Sequence, residues 1–300
     1  MKVSIVGAGR VGRVLGLLAK RAGHEIGDVV CRSALSARSA RKFIGGGEAR
    51  AQLQRSATDA DLILICVADD GISDIAGSLA DLGGRLPGPG SRKRRVALHA
   101  SGAVPSEALA PLRGIGISIG SCHPLQTFEN SARALATVAK SYFGIEGDPL
   151  AIRAARKFVR EIGGREIVVP SDLKGLYHAS AVMASGGLVA LLSVCSELLS
   201  ACGLAESESF AALLPLVQGT IDNVRRAGVV NALTGPVRRG DLGTLQKNLT
   251  AISLSKPEWL DLYRMLTEAS LDLAKRQGMS ESRVKAMRRI IKRPTGPAKS

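Results

Sequence analysis

Lys2-Val3-Ser4-Ile5-Val6-Gly7-Ala8-Gly9-Arg10-Val11-Gly12-Arg13-Val14-Leu15 decides the reading of the fold. Lys2–Val6 reads as a short apolar strand, and residues 14–19 as the apolar run of a helix. Between them stands G-x-G-x-x-G, the dinucleotide-binding fingerprint in its proper context. Gly7 makes the tight turn, Gly9 lets backbone approach a pyrophosphate, and Gly12 lets helix pack on strand. The helix N-terminus adds free N–H groups and the positive end of a dipole. In a chain with 34 glycines the pattern alone says little, and its placement carries the argument. Gly7, Ala8, Gly9, Arg10, Val11 and Gly12 are the predicted phosphate-side contacts.

Working outward, strands are expected at 2–6, 26–31, 62–67, 95–99, 115–121, 141–145 and 165–169, and helices at 10–22, 35–43, 71–82, 104–112 and 149–162. This alternation argues for a mainly parallel sheet with helices on both faces. After Pro170 the strand signal stops. Helical periodicity covers 172–202, 206–228, 241–254, 257–276 and 280–292. The expected architecture is α/β plus α: a Rossmann domain over 1–168, then an all-helical substrate and dimerisation domain over 169–300. The active site is expected in the cleft between the halves.

The second strand ends at Val30-Cys31-Arg32-Ser33. NAD enzymes usually place Asp or Glu here to accept from the ribose hydroxyls. Arg32 and Ser33 instead suit a 2′-phosphate, which a carboxylate would repel. NADP is therefore favoured over NAD. Asp28 lies too early in the strand for the acidic role. The alternative for Arg32 is an exposed arginine at a strand end. The loop Val67-Ala68-Asp69 borders the expected nicotinamide side, with Asp69 either touching ribose or amide or capping the next helix.

Two further loops follow strands at the same sheet edge. His99-Ala100-Ser101-Gly102 and His123-Pro124-Leu125-Gln126-Thr127 put histidines and hydroxyls where substrate would meet cofactor. His99, Ser101, Gly102, His123, Gln126 and Thr127 are candidate lining residues. Each histidine equally suits a local structural bond. At the domain junction, Ser171 or Asp172 is placed to cap a long helix. Lys174 falls in its first turn, where the dipole disfavours a cation, and His178 follows four residues on. A lysine misplaced beside a histidine is a local conflict of the kind functional sites show. Lys174 and His178 are the candidate catalytic pair for protonating a carbonyl or imine as hydride arrives. The structural alternative is a snorkelling lysine beside a satisfied histidine. Ser185, three turns on, and Thr234 in a polar interhelical segment are further candidates. Arg239 and Asp241 of that segment suit substrate, helix caps or a subunit interface.

Composition narrows the classes. Aromatic residues make up 3% of the chain, so the core must be aliphatic. Five cysteines without paired metal spacing read as reduced thiols. A glycine turn interrupts the first apolar run, so no signal peptide is read and a cytoplasmic location is expected. Residues 179–196 carry no charge but are rich in Ala, Ser and Gly, and read as a buried helix rather than a span. Of the net charge of +15, residues 275–300 supply +8 and Arg92-Lys93-Arg94-Arg95 supply +4. Val284, Met287, Ile290 and Ile291 make an apolar stripe in the tail, which reads as a docked helix with a solvated basic face. Nucleic-acid binding is disfavoured. No zinc spacing, P-loop or G-x-S-x-G is present, so no metal site and no hydrolytic centre are expected.

As a set, residues 7–12, 99–102, 123–128, the helix from Lys174 to Gly186, and Leu233-Thr234-Gly235-Pro236 through Gly240-Asp241 make the chain resemble a known family. It is similar to Rossmann-like proteins that carry a C-terminal helical domain of unknown function 2520. Their layout is that of pyrroline-5-carboxylate reductases, ketopantoate reductases and β-hydroxyacid dehydrogenases. The resemblance implies an NADP-linked oxidoreductase acting on a small polar carbonyl, hydroxy acid or imine. It also implies a 6-phosphogluconate dehydrogenase-like helical domain and a homodimer formed through it. Lys174 looks like the helix lysine that is catalytic in β-hydroxyacid dehydrogenases. His178 falls where ketopantoate reductases tend to have Asn, a departure from that pattern. A non-catalytic NADP sensor and a deazaflavin-linked NADP oxidoreductase are the alternatives.

Overall fold

A computed structural model describes residues 1–83, 95–128 and 131–293. Arg92, Lys93 and Arg94, the preceding Pro/Gly loop, and the end of the basic tail lie outside the described residues. The chain divides into two compact units, Met1–Ser185 and Gly186–Ser300.

The first unit is built on an eight-stranded sheet: β1 (Lys2–Val6), β2 (Glu25–Val30), β3 (Glu48–Arg50), β4 (Leu62–Ile65), β5 (Arg95–His99), β6 (Ile117–Pro124), β7 (Tyr142–Gly147) and β8 (Arg165–Val168). The order is β3-β2-β1-β4-β5-β6-β7-β8. All neighbours pair parallel except β6 and β7, which are antiparallel. The order reverses direction between β1 and β4, the switch point at which open α/β sheets bind ligands. Seven of these strands fall where the sequence places them. β3 does not, because Gly45-Gly46-Gly47-Glu48-Ala49-Arg50 shows no apolar alternation and forms only a three-residue edge strand.

Helices α1 (Arg10–Arg21), α2 (Ala34–Ile44), α3 (Ile72–Gly83), α4 (Ser131–Val138) and α5 (Pro149–Glu161) cover both faces. One aliphatic layer joins Val3, Ile5, Leu62 and Leu64 to side chains of α1, α2, α4 and α5. The other joins Val6, Ile63, Ile65, Ala97 and Ile119 to α3 and to a 3-10 helix at Ser106–Ile115. The helix expected at 104–112 is this 3-10 segment, interrupted by Pro111. Arg95, the last residue of the basic cluster, is not a surface charge. It is buried at the start of β5 and donates to the carbonyls of Thr58 and Ile115 at 2.9 and 2.8 Å.

A 3-10 turn (Ser171–Leu173) leads into α6 (Lys174–Val182), which runs on through a π-helical turn (Met183–Gly187) into α7 (Leu188–Ser200). Neither Ser171 nor Asp172 caps α6 by its side chain, because the 3-10 turn leaves Leu173 at the capping position. Val168 ends the sheet, yet α6 belongs to the first unit, since its inward side chains bond to residues of β6, β7 and the loop after β5.

The second unit continues with α8 (Glu206–Asn231), α9 (Gly235–Arg239), α10 (Leu242–Ser255), α11 (Leu260–Arg276) and α12 (Glu281–Lys292). Its core joins Leu245, Leu249, Ile252, Leu260, Leu271, Val284, Met287 and Ile291. The basic α12 is thus docked by the stripe read in the sequence. Asp241 caps α10, accepting from Thr244 N at 2.9 Å and from its hydroxyl at 2.7 Å. The helices α7 and α8 stand mostly outside this core, with Val194 and Ser209 as their buried residues.

Candidate functional site

A row of paired residues crosses the sheet near its carboxyl edge: Val6 beside Ile65, Ile65 beside His99, His99 beside Ser121, and Ser121 opposite Glu146. Directly opposed residues project to the same face. The row changes from aliphatic to polar at β5. Two concavities open along this edge.

The first is a groove of about 620 Å³, lined by Gly7, Ala8, Gly9, Arg13, Cys31, Arg32, Ser36, Cys66, Val67, Ala68, Gly71, Asp74 and Ile75. The glycines behave as the fingerprint requires. Gly7 has φ +84°, and a Cβ on it would come within 2.8 Å of Cys66 backbone. A Cβ on Gly12 would stand 2.6 Å from the Gly7 carbonyl oxygen, so only glycine lets α1 start this close to β1. At Gly9 a Cβ would project into open space. No side chain caps α1 and no acidic residue stands in its first turn, so this helix end suits an anion. These residues fit a dinucleotide phosphate.

Arg32 reaches the groove as predicted, while Asp28 does not. Asp28 is buried on β2, accepting from the Ser56 hydroxyl at 2.5 Å and facing Arg50 at 3.6 Å. Ser33 is spent as the cap of α2, accepting from Ser36 N. Ser36 and Arg13 line the groove in its stead, and the sequence reading missed both for this purpose. Arg13 is held there by the Ala8 carbonyl at 3.5 Å and the Phe43 ring at 6.0 Å. Arg10, Val11, Gly12 and Asp69 stand outside the lining.

The second concavity, about 470 Å³, is lined by His123, Leu125, Gln126, Thr127, His178, Ser180, Ala181, Val182, Ala184 and Ser185. It carries hydroxyl, amide and imidazole groups and no carboxylate. His123 and His178 meet edge to face, ring centroids 5.8 Å apart. Gly102 is buried against both: a Cβ there would be 2.6 Å from His178 Cδ2 and 2.9 Å from His123 Cε1. Burial, the adjacent His178 and the Lys174 charge push the His123 pKa down to about 4. His123 is therefore neutral at physiological pH. Gln126, Thr127 and Ser185 line this pocket as read from the sequence.

His99 and Ser101 do not. His99 has no solvent exposure, and its Nδ1 accepts from Ser101 N at 3.2 Å. Its pKa is down to about 3, chiefly through burial. The Ser101 hydroxyl accepts from the amides of Ala103 and Val104 and shapes the turn. Thr234 belongs to the second unit, where it precedes α9.

Beneath the pocket lies a buried ion pair. Lys174, 2% exposed, donates from Nζ to Ser121 Oγ at 2.6 Å and to the Ser101 carbonyl at 3.1 Å, and lies 3.4 Å from Glu146 Oε1. Glu146 is itself held by the Ser106 amide and hydroxyl, each at 2.7 Å. Burial lowers the Lys174 pKa and Glu146 opposes the shift. All three ammonium protons thus have protein acceptors. Lys174 and His178 do share a face of α6, but only His178 reaches the pocket. Glu146, the one charge in the strand Tyr142-Phe143-Gly144-Ile145-Glu146-Gly147, was the signal available for this pair.

Comparison with known proteins places this geometry among solved folds. No curated protein matches the chain significantly. Protein TM1727 from Thermotoga maritima is similar at 27% identity, covering 92% of this chain and 100% of its own, with a TM-score of 0.74. An imine reductase from Pseudomonas sp. is 18% identical over 95% of this chain and 99% of its own, with a TM-score of 0.58. A pyrroline carboxylate reductase from Plasmodium falciparum with NADP bound is 13% identical, covers 96% and 98%, and gives a TM-score of 0.53. Two family models match, one over residues 1–124 and one over residues 141–270. The first describes a Rossmann-like domain and the second the domain of unknown function DUF2520, and the chain is similar to each over those residues.

Proposed function

We propose that the protein is an NADPH-dependent reductase of a small polar carbonyl or imine compound. The observation that carries this reading is the placement of two complementary sites on one sheet edge. The groove offers a phosphate cradle at α1 and Arg32 with Arg13 at its β2 end. The histidine pocket stands on the opposite side of the switch point, beyond β4 and β5. A dinucleotide with its 2′-phosphate at Arg32 and its pyrophosphate at Gly9 extends its other half toward that pocket. When bound, the cofactor supplies a hydride. His123 and His178 orient the acceptor and hydrogen-bond the oxygen or nitrogen that gains charge. Lys174 acts from below, fixing the Ser101 turn and β6 at Ser121, which carry the pocket walls. The solved structures of an imine reductase and a pyrroline carboxylate reductase support the reaction class through their shared fold.

The test is NADPH oxidation, followed by absorbance, against 2-oxo acids such as pyruvate and cyclic imines such as 1-pyrroline. Turnover that prefers NADPH, with kcat reduced about 100-fold in His178→Ala, is the expected result. Tight NADPH binding with no turnover of any of them would leave a sensor, and absence of NADPH binding would end both readings.

We also propose that a second copy covers α7 and α8. The 26-residue α8 buries only Ser209 and exposes Phe210, Leu214, Leu216, Ile221 and Val229. Phe210, Leu214 and Ile221 recur at helical spacing and make an exposed apolar stripe, which marks an interaction surface. By length and composition the helical run Ser171–Ser200 is also able to cross a membrane. Insertion, however, would pull Lys174 from Glu146 and Ser121 and leave both charges uncompensated. Self-association keeps that pair intact. Sedimentation equilibrium is expected to give twice the chain mass of 31.3 kDa, and Leu214→Glu to shift it toward monomer. A monomeric wild type at micromolar concentration, or one bound to neutral lipid vesicles, counts against the dimer.

A further inference from the structure

Tyr177 lies outside the lining of the histidine pocket, yet it holds one of its walls. Its ring packs against β7 where only glycine leaves room: a Cβ on Gly144 would come within 2.6 Å of both Tyr177 Cζ and its hydroxyl oxygen. The hydroxyl stands 3.0 Å from His123 Nδ1, with the two rings perpendicular. Burial raises the phenol pKa, so the group stays protonated, and among the described residues His123 Nδ1 is the one hydrogen-bond partner of the hydroxyl. The phenol hydrogen is then left for Nδ1. A neutral imidazole whose Nδ1 accepts must carry its proton on Nε2. Gly102 closes the Cε1 and Nδ1 side of the ring from the other direction. Among the described residues none hydrogen-bonds Nε2.

We infer that Tyr177 is a positioning residue that sets the tautomer of His123, so that His123 presents a neutral Nε2–H donor to the pocket. A neutral donor suits an oxygen or nitrogen that gains charge only as hydride arrives. It binds the resting substrate weakly and the developing anion strongly. The use of this donor on substrate rests on the reductase reading, whereas the tautomer itself does not. Tyr177 therefore acts through His123 and has no contact with the reacting atoms.

The experiment is a long-range proton–nitrogen spectrum of the full-length, ¹⁵N-labelled protein at neutral pH. The chain has four histidines, so a His123→Asn variant assigns the resonances. The wild type is expected to show His123 with a protonated Nε2 and a hydrogen-bonded, unprotonated Nδ1. Tyr177→Phe is expected to move Nδ1 to the position of an unbonded acceptor nitrogen and to let the Nδ1–H form appear. A wild-type His123 protonated on Nδ1 overturns the proposal, as do ring nitrogens unchanged by Tyr177→Phe. The wild-type spectrum decides even where that variant folds poorly. In the NADPH assay, Tyr177→Phe should lower kcat tenfold or more without weakening NADPH binding, and an unchanged kcat overturns the proposal. A wild type that fails to bind NADPH counts against the reductase reading, and the spectrum then tests the tautomer separately.

Discussion

Lys174→Met is expected to lower the unfolding free energy by about 3–5 kcal/mol, the cost of leaving one charge of a buried pair uncompensated. At about 2–4 °C per kcal/mol for a unit of this size, the thermal midpoint should fall by roughly 6–20 °C. Glu146 would keep its two bonds from Ser106 but lose its only close cation among the described residues, in a site where both partners are at most 4% exposed. Ser121 Oγ and the Ser101 carbonyl would each lose a charge-assisted donor. Adding Glu146→Gln removes the stranded charge while its amide oxygen still accepts from Ser106, so the double variant should recover part of the loss. The non-additivity of that cycle measures the pair directly. Circular dichroism melts of the four proteins suffice. A Lys174→Met protein that melts with the wild type but has lost turnover would return Lys174 to the role of proton donor, as the sequence alone suggested.

That contrast shows what could and could not be read from the chain. The fingerprint was legible because each glycine answers a backbone demand that no other residue meets: a positive φ at Gly7 and a 2.6 Å approach at Gly12. The strand β4 was legible because a strand buried on both faces is continuously apolar, as Leu62-Ile63-Leu64-Ile65 is. Lys174 was legible as an anomaly, a cation in the first turn of a helix, but its purpose was not. Its partners come from β6, β7 and the loop after β5, and Glu146 is paired to β6 across an antiparallel register that no local pattern specifies. Tyr177 was invisible for the same reason. Beside His178 it reads as an ordinary aromatic on a helix, and only the register of Gly144 opposite His123 gives its ring a seat. The same distinction separates Ser33 from Ser36. Both are serines at the start of a helix, and the capping geometry decides that the first serves the backbone and the second faces the groove.

Arg32→Ala is expected to weaken NADPH binding by about 1.5–3 kcal/mol, the range for hydrogen bonds to charged groups, or roughly 10- to 150-fold. NADH binding should change less than threefold, because the arginine has no 2′-phosphate to meet there. Arg32 lines the groove at the end of β2 and is exposed, so its removal costs little stability and the effect can be read as binding. Arg13 also lines the groove, which should leave Arg32→Ala with some residual preference for the phosphorylated cofactor. The stronger change is Arg32→Asp, since a carboxylate repels the 2′-phosphate and accepts from free ribose hydroxyls. It should invert the preference in favour of NADH. Both effects are electrostatic in part, so raising ionic strength should compress the wild-type preference as salt screens the exposed arginine and the phosphate. Fluorescence titration of NADPH and NADH against the three proteins at two salt concentrations gives every quantity. An unchanged NADPH affinity in Arg32→Ala would make this residue an ordinary arginine at a strand end. The discrimination would then have to come from Arg13 and Ser36 on the helix side of the groove, where the corresponding substitutions would test it.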